Sequence, residues 1–219
     1  LTGNYGFMVN GTAGGSPIAT VGQISTNGNG SIAGAETSSL NGTISEGVEL
    51  LGTYKINANC TGTAAITPAG QSTLNFSLTI IEGGKQIQMV EADTGTTVSG
   101  TAYAQGVSKC TLAGVKGIYG LQGGGIEMGS GPLVYGGQIN LKGGGALSGT
   151  ENGSINGTIF TGATVSGAYK VGKPCTGGAV VYVGQNSPIG LNLVVVNGEK
   201  AVLFIQTDTG SLSAGILEK

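Results

Sequence analysis

Residues 72–92 read STLNFSLTIIEGGKQIQMVEA, and they decide the fold class. Leu74, Phe76, Leu78 and Ile80 alternate with Asn75, Ser77 and Thr79, the period of two that belongs to a half-buried β-strand. Glu82-Gly83-Gly84-Lys85 then makes a tight turn, since glycine enters the positive-φ region without steric cost. A second apolar run over 85–92 completes a hairpin.

The same grammar extends outward in both directions. Across the first half of the chain it predicts strands at 3–9, 18–25, 30–37, 49–57, 61–67, 72–81, 85–92 and 96–104, with NGNG (27–30) as a further hairpin turn. Eight successive antiparallel strands in about 105 residues fit a closed up-and-down barrel, which leaves no free edge. A β-sandwich is the alternative. Gly22, Gly34 and Gly52, with Gly137, Gly149 and Gly167 later, suit the coiled strands of a small barrel.

Those glycines correspond because the chain is duplicated at an offset of 115 residues. SLNGTI (39–44) meets SINGTI (154–159), and LGTYKINANCTG (51–62) meets SGAYKVGKPCTG (166–177). At the front, LTGNYGF (1–7) meets VKGIYGL (115–121), with one extra residue in the following loop of the second copy. The fold class expected is therefore all-β, two tandem domains at about 1–106 and 114–219, joined by VSKCTLA (107–113).

Composition narrows the chemistry. The 45 glycines among 219 residues, with many β-branched residues, leave no stretch of helical periodicity. There are nine lysines, no arginine and eleven acids, for a formal net charge of −2, which excludes the basic face that nucleic acid needs. No histidine is present, so a Ser-His-Asp triad, a His-ligated metal and an imidazole acid-base are excluded; no cofactor is expected. No tryptophan offers a sugar-stacking face, and no run of 18 apolar residues predicts a membrane-spanning helix. A first residue of Leu1 with a strand beginning at once reads as a mature sequence whose signal peptide has been removed.

Asp-Thr-Gly occurs twice, at 93–95 and 208–210, as it does in the two lobes of aspartic proteases. Its position argues against that chemistry. Only eleven residues follow Asp208, too few for the later segment that supports a protease active loop, and both copies fall between the seventh and eighth strands. There the Asp is expected to accept backbone N–H groups and the Gly to take a left-handed turn position. Glu36 and Glu151 are repeat-equivalent acids on a polar strand, expected to be solvated rather than paired as glycosidase carboxylates. The GGG runs at 123–125 and 143–145 read as loops without the strand–helix context of a phosphate site. Asn10, Asn29, Asn41, Asn59, Asn75, Asn152 and Asn156 head Asn-x-Ser/Thr sequons and are glycosylation candidates.

Three cysteines are disulfide candidates. Cys60 and Cys175 are repeat-equivalent, in the turn after the fourth strand, and Cys110 lies in the linker. In an eight-stranded meander that turn shares an end with both termini, so Cys110 can pair with either and one thiol is left over for intermolecular bonding.

The second copy also carries an outward apolar stripe. Val194 replaces Thr79 and Leu203 replaces Gln88, while Val196 and Ile205 match Ile81 and Val90. Such a stripe either packs on the other domain or forms a subunit interface, which makes Val194, Val196, Leu203 and Ile205 assembly candidates.

The Gly-x-Tyr strands, NGNGSIAG, GTYKINANCTGTAAIT and the closing DTGTTVSGTA resemble tandem β domains of secreted bacterial proteins, acidobacterial ones especially, a family that implies no site residues. LTGNY, GSIAG and LLGTYKI are also similar to avidin- and lipocalin-type meander barrels, although the tryptophans that line the avidin biotin site are absent. The leading expectation is a secreted, non-enzymatic subunit of an extracellular filament, sheath or surface layer, partnered by copies of itself. The second is an extracellular binding barrel for a small apolar ligand or glycan, against which the Leu/Phe/Ile-rich interiors count if they fill the lumen.

Overall fold

The computed structural model describes all 219 residues. The first half forms β1 (Thr2–Ala13), β2 (Ser16–Asn27), β3 (Ser31–Leu40), β4 (Thr43–Ile56), β5 (Thr61–Pro68), β6 (Leu74–Ile81), β7 (Gln86–Glu91) and β8 (Ser99–Ala104). The second forms β9 (Gly117–Glu127), β10 (Gly131–Leu141), β11 (Ala146–Ile155), β12 (Thr158–Gly172), β13 (Thr176–Val183), β14 (Ile189–Val196), β15 (Ala201–Gln206) and β16 (Ser211–Glu218). Each set closes on itself, β8 onto β1 and β16 onto β9, giving two eight-stranded antiparallel barrels rather than sandwiches. The eight strands expected in the first copy are present in that order, and the first four run longer than expected. The one helical piece is a single turn at Glu82–Gly84, within the expected Glu82–Lys85 turn. No helix is long and apolar enough to cross a membrane.

The interior glycines earn their positions by crowding. A Cβ on Gly34 would lie 2.1 Å from the carbonyl oxygen of Gln23, and one on its counterpart Gly149 would lie 2.1 Å from that of Gln138. The strands coil so tightly that the neighbouring strand fills the space where a side chain would begin.

Each barrel has its own core. The first centres on Tyr5, Phe7, Ile24, Leu50, Phe76, Leu78 and Met89, the second on Tyr119, Ile139, Val165, Tyr169, Leu193, Val202 and Phe204. Leu191, Leu193 and Val195 of β14, the counterparts of Phe76, Leu78 and Ile80, face that second core, and Ile189, the counterpart of Leu74, lines the lumen above them.

A third apolar cluster joins the barrels side by side. Ala19 and Val21 of β2 meet Val194, Val196, Ala201, Leu203, Ile205, Leu212 and Ala214, with Met8 and Tyr103 packed against them. This corrects the subunit-interface reading of the stripe. Val194 is 5% exposed and Val196, Leu203 and Ile205 are fully buried, all against the first barrel of the same chain. The barrels come so close that a Cβ on Gly6 would fall 2.4 Å from Val196 Cγ1. Hydrogen bonds frame the apolar patch. Ser39 Oγ donates to the Ser211 carbonyl (2.7 Å), and Asn192 Nδ2 donates to Glu46 Oε2 (2.6 Å) and Thr37 Oγ1 (2.9 Å). The Gln105 amide is buried at the other end, donating to the Val195 carbonyl (3.0 Å) and accepting from Gln23 Nε2 (2.7 Å).

The segment between the barrels is a plug. Cys110 and Val115 are buried in the second core and Leu112 packs against it, at the end where the β12–β13 turn and the C-terminus lie. Cys110 is disulfide-bonded to Cys175, with a Cα–Cα distance of 4.8 Å, which resolves the pairing left open by the sequence. Cys60, the repeat-equivalent of Cys175, is a free and exposed thiol. Tyr119 Oη adds a tie across this floor by donating to the Val115 carbonyl at 2.8 Å, and Tyr169 Oη donates to that of Lys142 at 2.7 Å.

Candidate functional site

The two Asp-Thr-Gly turns are structural in both barrels, as their position implies. Asn75 N donates to Asp93 Oδ2 (2.7 Å) and Gly190 N to Asp208 Oδ2 (2.9 Å), so each carboxylate caps the second residue of the neighbouring strand. Gly95 (φ 84°) and Gly210 (φ 89°) take the left-handed position. The Asn75 backbone and side-chain donors hold the Asp93 carboxyl below its ordinary range. The two aspartates serve separate barrels and form no dyad.

The lumen of the second barrel is open. A cavity of about 900 Å3 runs from Val115 at the plugged floor to a mouth framed by the 184–188 loop, Gln206 and Asp208. Its wall is largely apolar, with Ile139, Leu147, Val165, Val181, Leu191 and Leu193 along the shaft. This corrects the expectation of a lumen filled by its own side chains. Two large residues of the first lumen, Phe7 and Phe76, become Leu121 and Leu191 in the second. The aromatic bulk of the second barrel lies flat on its wall instead. A Cβ on Gly123 would meet the Tyr135 ring at 2.5 Å, and one on Gly215 would meet Phe204 at 2.5 Å; the two rings stack with centroids 6.5 Å apart. Gly123 belongs to β9, so that GGG run is strand rather than the expected loop, while 143–145 is a turn.

Polar groups gather in the upper part of the cavity. Tyr135 Oη and Ser213 Oγ share a hydrogen bond of 2.9 Å, and Ser211 Oγ donates to Glu127 Oε1 at 2.6 Å. Burial pushes the Tyr135 hydroxyl up to about 12; the Ser213 hydroxyl opposes that shift and the Glu151 and Glu127 charges reinforce it. Asp208 is engaged by Gly190 N and by Gln206 Nε2 (3.3 Å).

Glu151 overturns its sequence reading. It is 7% exposed rather than solvated, lines the cavity, and has its carboxyl raised by burial. Its counterpart Glu36 is likewise turned inward in the first barrel, where burial lifts it to about 7. Both acids are repeat-equivalent in structure as in sequence: Glu36 pairs with Gly22 and Val48, Glu151 with Gly137 and Ala163, and each stands at a β-bulge. The alternation Ile32, Gly34, Glu36 was the available signal, because a residue two positions on from an inward glycine is also inward.

Of the other sequence candidates, all seven sequon asparagines lie on the exposed surface. Asn75 and Asn152 are engaged there, with Asn152 Oδ1 accepting from Gly162 N at 2.8 Å. No group of acids and cysteines is placed to hold a metal.

No family model matches the chain, and no curated protein matches it. Among solved structures, the Myxococcus xanthus hemagglutinin in complex with a3,a6-mannopentaose aligns over 99% of each chain, at 15% identity and a TM-score of 0.20, too low to indicate a shared fold.

Proposed function

We propose that the chain is a secreted, non-enzymatic binding protein whose second barrel takes a small apolar ligand, with the first barrel as its support. The observation that carries this reading is the lumen of about 900 Å3 in the second barrel. Ligand pockets commonly span roughly 300–1,000 Å3, apolar with a few convergent polar groups. The Cys110–Cys175 bridge across the cavity floor fits an oxidising compartment, and so an extracellular setting.

The filament reading loses one of the features that recommended it, because the apolar stripe is consumed inside the chain. Closed barrels also offer no strand edge to a neighbouring copy. An apolar shaft without tryptophan favours a hydrocarbon or aromatic body over a sugar.

The test is calorimetric titration with decanol, a neutral chain, against the wild-type protein and Leu191→Phe, which restores the bulk of Phe76. Saturable one-to-one binding that the substitution weakens at least tenfold supports the reading. Absence of binding to the wild type, or equal binding to both proteins, overturns it.

A further inference from the structure

We infer that the ligand carries a positively charged head on an apolar body, and that Glu151, assisted by Glu127, receives that head. This rests on the binding reading above and adds the chemical class of the ligand.

Glu151 is the one cavity acid without an internal use. Glu127 accepts from Ser211, and Asp208 caps β14, but no hydrogen bond within the chain reaches the Glu151 carboxylate. Its oxygens are nevertheless not sealed inside protein, since no buried side-chain polar atom lacks a partner; the carboxylate opens onto the lumen. An unpartnered carboxylate at 7% exposure is costly to keep ionised, and a ligand that neutralises it recovers that cost.

The rest of the wall shows the sign of the partner. Glu127, Glu151 and Asp208 line the cavity, and no lysine does. A carboxylate or phosphate ligand would therefore meet only like charge. An ammonium would meet a free carboxylate, with the Tyr135 and Phe204 rings close by to offer their faces. The apolar shaft below would take the body of the molecule. An alkyl or aromatic amine satisfies all three requirements, with its cation near the mouth and its chain directed at Val115.

Proton bookkeeping supplies an independent signature. Burial raises the Glu151 carboxyl, and a cation seated beside it lowers it again, so an amine competes with the proton for this group. Glu127, Asp208 and Tyr135 are the other titratable groups at this end of the lumen. Across the pH range in which Glu151 titrates, binding of an amine should release protons, whereas binding of a neutral chain should not.

The test compares decylamine, decanol and decanoate by titration calorimetry at a series of pH values from 5 to 8, each in two buffers of different ionisation enthalpy. Expected are decylamine binding at least tenfold tighter than decanol, decanoate weakest, and proton release with the amine alone. In Glu151→Gln, decanol binding persists, which also shows that the variant is folded, while the amine preference and proton release disappear. Equal affinity for decylamine and decanol, or a preference that survives Glu151→Gln and Glu127→Gln, overturns the inference and leaves the binding barrel standing. If decanol too fails to bind, the binding reading falls and takes this one with it.

Discussion

Glu36 and Glu151 occupy the same point in the two barrel walls, each beside a bulge and opposite an inward glycine, and each is turned away from solvent. A carboxyl whose folded pKa is raised binds its proton more tightly in the native state than in the unfolded one. Its favourable contribution is therefore complete below the unfolded value of 4.5 and is lost as pH rises through about 7. For Glu36, urea unfolding should show stability falling between about pH 5 and pH 8. Glu36→Gln should flatten that slope and gain about 1–3 kcal/mol at pH 8. A slope unchanged by the substitution would locate the effect elsewhere.

The Cys110–Cys175 bridge closes a loop with a sequence separation of 65. On chain-entropy grounds it contributes about 4 kcal/mol, and Cys110→Ser should lower unfolding stability by about 2–5 kcal/mol. Cys60 behaves differently. It is exposed and free at φ 63°, so Cys60→Gly should gain about 1 kcal/mol by removing a strained Cβ. Alkylation of the native protein should label Cys60 alone.

The contact between the barrels should make them unfold together. Leu203 is fully buried there, and Leu203→Ala should cost about 2–4 kcal/mol. Leu203→Asp places a charge in that seam and should split one calorimetric transition into two, one per barrel. A single unchanged transition would mean that the seam contributes little.

The open lumen depends on Gly123. Gly123→Val restores the residue found at the equivalent point of the first barrel, Val9, and collides with the Tyr135 ring. The ring must then swing into the shaft. Decanol affinity should drop at least tenfold while stability changes by no more than about 3 kcal/mol.

Local periodicity makes most of this fold legible in the sequence alone. Leu74 through Ile80 announce a strand by themselves, and the repeat of DTG, GTYK and CTG at one offset requires only comparison. Strand ends were harder, because Asn10, Gly11 and Thr12 look like a turn until pairing with Ala19, Ile18 and Pro17 extends β1. The acids are harder to read, because the polar neighbourhood of Glu36 masks the alternation through Ile32 and Gly34. The cavity had no local signature at all. It depends on Tyr135 lying across Gly123 and Phe204 across Gly215, which are relations between strands that only the barrel's register creates.

The seam between the barrels also has a geometry of its own. The first barrel contributes β1, β2 and β3, whereas the second contributes β14, β15 and β16, the counterparts of β6, β7 and β8. The operation relating the two units is thus head-to-tail, the kind that continues indefinitely when every unit carries both faces. The first unit presents Thr79 and Gln88 where the second presents Val194 and Leu203, so the face that is buried in the second unit is mixed with polar residues in the first. Two hydrophilic residues thus mark the difference between an outer face of the pair and a face made for its seam.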